Sequence, residues 1–262
     1  MNKSSEVLVG KVMTQEDSRV AIVTGGGSGI GRAIAIALAA DRCAIAIFDR
    51  NAQTGAAVAS EIERSGQRAR AYEIDVTVSG RVREAVEEVV KTFGRIDVLV
   101  NNAGIGFLGS VEDLAEEEWD HVMSVNVKSV FLCSRAVIPH MAALGGGRII
   151  NVASVAGLVA SPGRAAYCAS KGAVIMLTRA MALDCAPRNI NVNSICPGVV
   201  ITPMTEKSLR DPADRQRRLD GTPLKRLAQP EEIAPAAVYL AGPGGSFVTG
   251  SALVVDGGWS ID

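Results

Sequence analysis

The chain has 262 residues, 48% of them hydrophobic and 21% charged, with a formal net charge of −1. This composition supports a substantial buried core and gives no electrostatic basis for nucleic acid or an anionic membrane as the main partner. Five cysteines, none in a C-x-x-C pair, and two histidines exclude a Cys/His zinc set and read as reduced thiols, with no metal site expected.

Along the chain, short apolar runs alternate with longer helical patterns. The opening eighteen residues contain one five-residue apolar stretch, too short for the hydrophobic region of a secretory signal. No run approaches the roughly 18–20 apolar residues of a membrane span. The expectation is a soluble cytoplasmic protein with a short N-terminal extension, 1–18, before one domain over 19–262. Strands are expected at 19–25 (RVAIVTG), 44–50, 69–76, 96–104, 148–154, 190–198 and 251–258, and helices at 31–42, 53–66, 79–94, from about Trp119 to Leu144, and after Ala165. Continuously apolar strands separated by helices imply an α/β fold, with a parallel sheet covered by helices on both faces. The polar, proline-marked segment 202–226 interrupts this rhythm and is expected to form a substrate lid.

The first strand runs into VTGGGSGIGRA, which opens a helix. Glycine permits positive φ and close backbone approach, and a helix N-terminus offers free N–H groups and a positive dipole end. Gly25, Gly27, Ser28, Gly29, Ile30 and Gly31 are therefore candidates for cradling a pyrophosphate. Asp49 ends the second strand, where a carboxylate accepts hydrogen bonds from adenosine ribose hydroxyls and repels a 2′-phosphate. That favours NAD, with NADP the disfavoured alternative. Arg50 complicates the choice, because a guanidinium binds phosphate; a solvated surface role is the preferred reading. Asp75 and Val76 end the third strand, as either an acceptor for the adenine amine or a plain turn. Asn101-Asn102-Ala103-Gly104 ends the fourth, bracing a loop beside the cofactor or forming an Asx-turn.

Ser154 ends the fifth strand, Tyr167 follows thirteen residues later, and Lys171 four after that. Taken in order, T-G-x-x-x-G-x-G, N-N-A-G, a serine and Y-x-x-x-K resemble the classical short-chain dehydrogenases/reductases over roughly residues 19–258. The resemblance implies a Rossmann-like doubly wound sheet of about seven strands in the order 3-2-1-4-5-6-7, and hydride transfer between NAD and a secondary alcohol or ketone. Tyr167 is then the acid/base. A phenol of ordinary pKa about 10 is a poor base near neutrality, and a nearby ammonium stabilises the phenolate, so Lys171 is expected to lower it. The resemblance further implies that Lys171 holds the nicotinamide ribose and that Asn126 completes the set through a water-linked proton path. It also places Pro197, Gly198, Val200 and Thr202 around the nicotinamide and phosphates. Ser154 would bind the substrate oxygen. The expected substrate pocket adds Ala156, Leu158, Phe107 and Met204, an apolar set suited to a small or medium apolar alcohol. Cys168, off the tyrosine's face, reads as a packed thiol.

Three other readings stand beside this one. A 3-oxoacyl-acyl-carrier-protein reductase would need NADPH and a basic docking residue where Leu132 stands, although Arg188 is present at the second such position. A non-catalytic nucleotide-binding regulator would not need both Tyr167 and Lys171. An extended-branch epimerase or dehydratase would need a larger C-terminal domain. The C-terminal segment resembles the family's packing across a two-fold axis, so a homotetramer is expected.

Overall fold

The computed structural model describes residues 19–261; the expected extension, 1–18, lies outside the described residues. Seven strands form one sheet in the order β3-β2-β1-β4-β5-β6-β7. They are β1 (Val20–Thr24), β2 (Ala44–Asp49), β3 (Ala69–Glu73), β4 (Val98–Asn101), β5 (Gly147–Val152), β6 (Ile190–Pro197) and β7 (Ala252–Val255), and every neighbouring pair is parallel. Alternating side chains feed two separate cores. Val20 and Ile22 of β1 join one cluster, which includes residues of α3 (Ser79–Phe93), α5 (Ser129–Ala143) and α6 (Ala165–Cys185). Ala21 and Val23 join the other, with α1 (Gly29–Ala40), α2 (Ala52–Arg64) and α9 (Pro230–Ala241). The doubly wound expectation therefore holds, down to the strand order.

The sequence order reverses its direction across the sheet between β1 and β4. In such sheets ligands bind outside the carboxyl ends of the strands at that point. Local chemistry sets the element boundaries around it. β3 ends at Glu73 rather than 76, because Asp75 turns the chain: its Oδ1 accepts from the Thr77 N–H at 2.8 Å and the Thr77 hydroxyl at 2.7 Å. Gly94, at φ +83°, closes α3 in the left-handed conformation, and Pro230 opens α9.

The expected helix from Trp119 begins three residues earlier. α4 (Glu116–Met123) opens on three glutamates, which suit the positive end of the helix dipole. A π-helical turn, Ser124–Lys128, joins α4 to α5. The composite rod, Glu116–Ala143, is long and apolar enough by length and composition to cross a membrane, unlike any run counted in the sequence. Its Val130, Cys133, Val137 and Met141 are instead buried in the sheet-side core. Segment 202–226 forms α7 (Pro203–Leu209) and α8 (Pro212–Asp220), neither of which buries a residue.

Candidate active site

A cleft of about 430 Å³ opens at the carboxyl ends of the strands. Gly25, Ser28, Gly29 and Ile30 line it at one end, and Ser154, Tyr167 and Lys171 at the other, with Asp49, Asp75, Val76, Asn102, Ala103 and Gly104 along its wall. Pro197, Gly198, Val200 and Thr202 close it on the β6 side. Residues from six strand ends thus meet in one space, although the sequence separates them by up to 177 positions.

The glycine turn is held open by its own backbone. Gly25 and Gly29 take φ of +62° and +52°, where a side chain is strained. Gly31 lies against the turn, so that a Cβ there would stand 2.2 Å from the Gly25 carbonyl oxygen and 2.4 Å from Asn102 Nδ2. Asn102 braces the same turn, donating from Nδ2 to the carbonyls of Thr24 and Gly25 at 3.0 and 3.1 Å. The bracing alternative for this motif is the one formed. Asn101 points the other way, donating to Ser134 and Asn151 inside the core. Ser28 caps α1 without a side-chain hydrogen bond, which leaves the N–H groups of the first turn free of side-chain partners. A narrow glycine-walled approach leading to such a helix end fits a pyrophosphate.

Asp49 is fixed by two backbone donors, Gly27 N–H to Oδ2 at 2.8 Å and Asn51 N–H to Oδ1 at 2.9 Å. Gly27 therefore touches Asp49 rather than lining the cleft. Arg50 is exposed at the cleft wall.

At the opposite end, Ser154 is buried and caps the short 3₁₀ turn Val155–Gly157, its Oγ accepting from Ala156 N–H at 3.1 Å. Gly157 in that turn packs on α6: a Cβ would lie 2.6 Å from the Lys171 carbonyl carbon. That contact fixes Ser154 relative to Tyr167 and Lys171 on α6. Lys171, only 5% exposed, donates from Nζ to the Val152 carbonyl at 2.9 Å, with its ammonium 5.7 Å from the Tyr167 ring centre. Asn126 lies behind the wall, not on it. Its Oδ1 accepts from Ile105 N–H at 2.8 Å, while Nδ2 donates to the Ile105 carbonyl and to Ser170 Oγ, both at 3.0 Å. Asn126 Oδ1 and Lys171 Nζ flank Gly104, within 3.3 and 3.5 Å of where a Cβ would sit. The π turn is what brings Asn126 to this place, as such turns do at functional sites.

Of the expected substrate residues, Met204 lines the cleft. Ala156 is buried within the 3₁₀ turn, Leu158 faces outward at 43% exposure, and the Phe107 ring folds back onto its own loop at Gly109. None of these three is part of the lining. Ile105, Pro203 and Thr205 also line it, within the loop 104–107 and the lid 202–226 expected to build the pocket, whereas His121 and Val125 line it and were not singled out from the sequence. No motif marks these two, which reach the cleft only through the rod that α4 begins.

The short chain dehydrogenase family model matches residues 19–213. The chain belongs to the short-chain dehydrogenases. It is 44% identical over 250 residues to a cyclopentanol dehydrogenase of Comamonas sp. (strain NCIMB 9872), covering 95% of this chain and all of that one. It is 43% identical over 251 residues to a 2-(R)-hydroxypropyl-CoM dehydrogenase of Xanthobacter autotrophicus, covering 93% and 99%. Among solved structures, an NAD+-bound xylitol dehydrogenase superposes with a TM-score of 0.89 at 37% identity, covering 92% and 98%. This short-chain dehydrogenase is an oxidoreductase acting on CH–OH donors, in a family that binds NAD(P).

The electrostatics of the dehydrogenase's tyrosine differ from expectation. Burial pushes the Tyr167 phenol up from its ordinary value, against the hydrogen bond with Ser154 and the Arg164 charge, which pull it down. Lys171 is not among the groups that pull it down. Burial instead lowers the Lys171 ammonium to about 8, with Cys196 opposing. In the unfolded chain this lysine keeps its proton up to its ordinary value of about 10.4. Below pH 8 the folded enzyme bears a buried charge; between those values only the unfolded chain holds the proton, so stability rises with pH. Relative to Lys171→Met, the wild type is expected to gain about 3 kcal/mol of unfolding free energy across that window. Urea unfolding of both proteins at pH 7 and 10.5 checks this; a constant difference would exclude the buried ammonium.

Proposed function

We propose that this chain is an NAD(H)-dependent oxidoreductase that interconverts a secondary alcohol and a ketone, with Tyr167 as the acid/base. The observation that carries the reading is the single cleft running from the glycine turn to Ser154, Tyr167 and Lys171. When bound, NAD supplies the carbon that accepts the hydride. Tyr167 takes the hydroxyl proton as the carbinol C–H bond yields its electron pair, and returns a proton in reduction. Ser154 donates to the substrate oxygen and steadies its developing charge. Lys171 holds the ribose, and the positive charge of the oxidised ring, when bound, favours the phenolate. Asn126 acts as a positioning residue, clamping Ile105 from both sides and tying it to α6 through Ser170.

The preference for NAD rests on Asp49. Its two backbone donors fix the carboxylate at the wall where a 2′-phosphate would lie, and like charges there repel. Arg50 opposes this from an exposed position, where its attraction is screened by solvent. The carrier-protein reductase reading loses ground because Leu132 is buried at 4% exposure, leaving no docking surface at that position. Burial of Val130, Cys133, Val137 and Met141 of the Glu116–Ala143 rod supports a soluble enzyme, and five free cysteines suit the reducing cytoplasm. The likeness of the C-terminal segment to the one the family packs across a two-fold axis supports a homotetramer.

A panel of secondary alcohols, polyols, hydroxysteroids and 3-hydroxyacyl thioesters, read by nicotinamide absorbance with each cofactor, tests the whole reading. Turnover of secondary alcohols with NAD, and NADH binding at least about tenfold tighter than NADPH, is the expected result. Tighter NADPH overturns the Asp49 argument, and no turnover by NADH-binding protein overturns the reaction. Light scattering on the same preparation should give four times the 27.3 kDa subunit mass, and a monomer would reject the tetramer.

A further inference from the structure

The reacting end of the cleft is shaped by where α7 lies. At its start, Thr202 rests against the glycine turn, its Cγ2 3.3 Å from where a Cβ on Gly29 would stand. Two residues on, Met204 reaches the loop after β4: a Cβ on Gly106 would lie 3.4 Å from its Sδ and 3.5 Å from its Cγ. The helix therefore begins at one wall of the cleft and touches the other, and Met204 lines the space between. Ile105, held by Asn126 through both its N–H and its carbonyl, and Pro203 line the same space. Met204 is 51% exposed, so a hydrocarbon surface laid against it removes apolar area from water, which favours binding.

The polar side chains at this end are already committed. Thr205 donates its hydroxyl to the Val200 carbonyl at 2.6 Å and accepts from Thr202 N–H at 3.0 Å. With that proton used, the 3.3 Å contact between the two threonine hydroxyls makes Thr202 the donor. Lys171 donates to the Val152 carbonyl, and Asn102 to the glycine turn. Among the described residues lining this end, the Ser154 and Tyr167 hydroxyls are left to meet a substrate oxygen. The charged lining residues stand elsewhere. Asp49 and Arg50 follow β2 and Asp75 follows β3, three and four places from β5 in the sheet, or roughly 14 and 19 Å at about 4.8 Å per strand. His121 acts electrostatically on Asp75, at that far end. A second hydroxyl or a carboxylate brought to the reacting end would lose water and gain no partner there.

We propose that the substrate is a secondary alcohol with one hydroxyl on an otherwise hydrocarbon frame, and that Met204, meeting Gly106 across the cleft, is the side chain that selects it over polyols and hydroxy acids. The inference rests on the alcohol oxidation proposed for this site and narrows its substrate class. Methionine is unbranched and polarizable, so one residue covers hydrocarbon frames of different shape. To a second hydroxyl it offers no donor and only a weak acceptor. Three of the four side chains expected from the sequence to form an apolar pocket lie outside the lining; the apolar character comes instead from Met204 with Ile105 and Pro203.

The test compares 2-butanol, 1,3-butanediol and 3-hydroxybutyrate, using the full-length wild type, Met204→Gln and Met204→Leu. Turnover is read by NADH formation. Binding of 2-butanone and 4-hydroxy-2-butanone is read by calorimetry on the enzyme–NADH complex. Wild type should favour 2-butanol over the diol by about tenfold to a hundredfold in kcat/KM, and over the acid by at least as much. Met204→Gln, of similar length but able to donate and accept, should cut the alcohol-to-diol ratio about tenfold, whereas Met204→Leu keeps it; the two ketones should follow the same order in affinity. Equal kcat/KM for alcohol and diol in the wild type, or a preference for the diol or the acid, overturns the apolar selection while leaving alcohol oxidation standing. A ratio unchanged in Met204→Gln, or lost equally in Met204→Leu, overturns the assignment to Met204. Selective, Met204-dependent binding of 2-butanone without turnover of any alcohol supports the selection and overturns the oxidation. Neither binding nor turnover overturns both.

Discussion

Tyr167→Phe should lose about three orders of magnitude in kcat, within the range general acid–base catalysis contributes, while NADH binds within a few-fold of wild type. The reasoning is geometric. The ring lies beside Lys171, whose own anchor is the Val152 carbonyl rather than the phenol oxygen. Phenylalanine keeps the ring, its packing and the lysine in place, and removes the one hydroxyl that faces Ser154. The cost to folding is about 1 kcal/mol, the net value of one hydrogen bond. Stopped-flow turnover beside fluorescence titration of NADH separates the two effects. Full turnover in the variant would mean that another group moves the proton.

The second large effect is expected at Gly31. A methyl group there would meet the Gly25 carbonyl oxygen at 2.2 Å and Asn102 Nδ2 at 2.4 Å. Both neighbours belong to the brace that holds the turn, and the carbonyl is backbone, so the collision is relieved only by moving α1 away from the turn. Overpacking of this kind costs about 1–3 kcal/mol. The larger loss is functional, because displaced N–H groups no longer converge on the phosphates. Gly31→Ala should weaken NADH binding by about a hundredfold or more while the chain still folds, as judged by circular dichroism. Unchanged affinity would show that the glycine serves packing alone.

Much of this site is legible in the sequence. Buried strands declare themselves as continuous apolar runs, because both faces of a parallel sheet are covered. The residues at their ends are then known to share one edge. Thr24, Asp49, Asp75, Asn102 and Ser154 could be placed this way before any coordinates. What the sequence hides depends on depth and on distant elements. Phe107 and Leu158 follow the right strands, yet one curls onto its own loop and the other faces outward. Gly157 carries no motif, but its contact with the backbone of Lys171 sets the distance between Ser154 and α6. The burial that raises the Tyr167 phenol and lowers the Lys171 ammonium is hidden too, because spacing reports that a lysine is near, not how much water both have lost.

The π turn at Ser124–Lys128 bears on how such an enzyme changes over generations. It amounts to a single extra residue in an otherwise regular rod. Deleting one codon there would restore an unbroken helix and swing Asn126 about 100° around its axis, away from Ile105 and Ser170. Lineages that abandon catalysis while keeping the nucleotide fold therefore have a one-step route, and the length of this segment, more than the identity of any side chain within it, would record which of them took it.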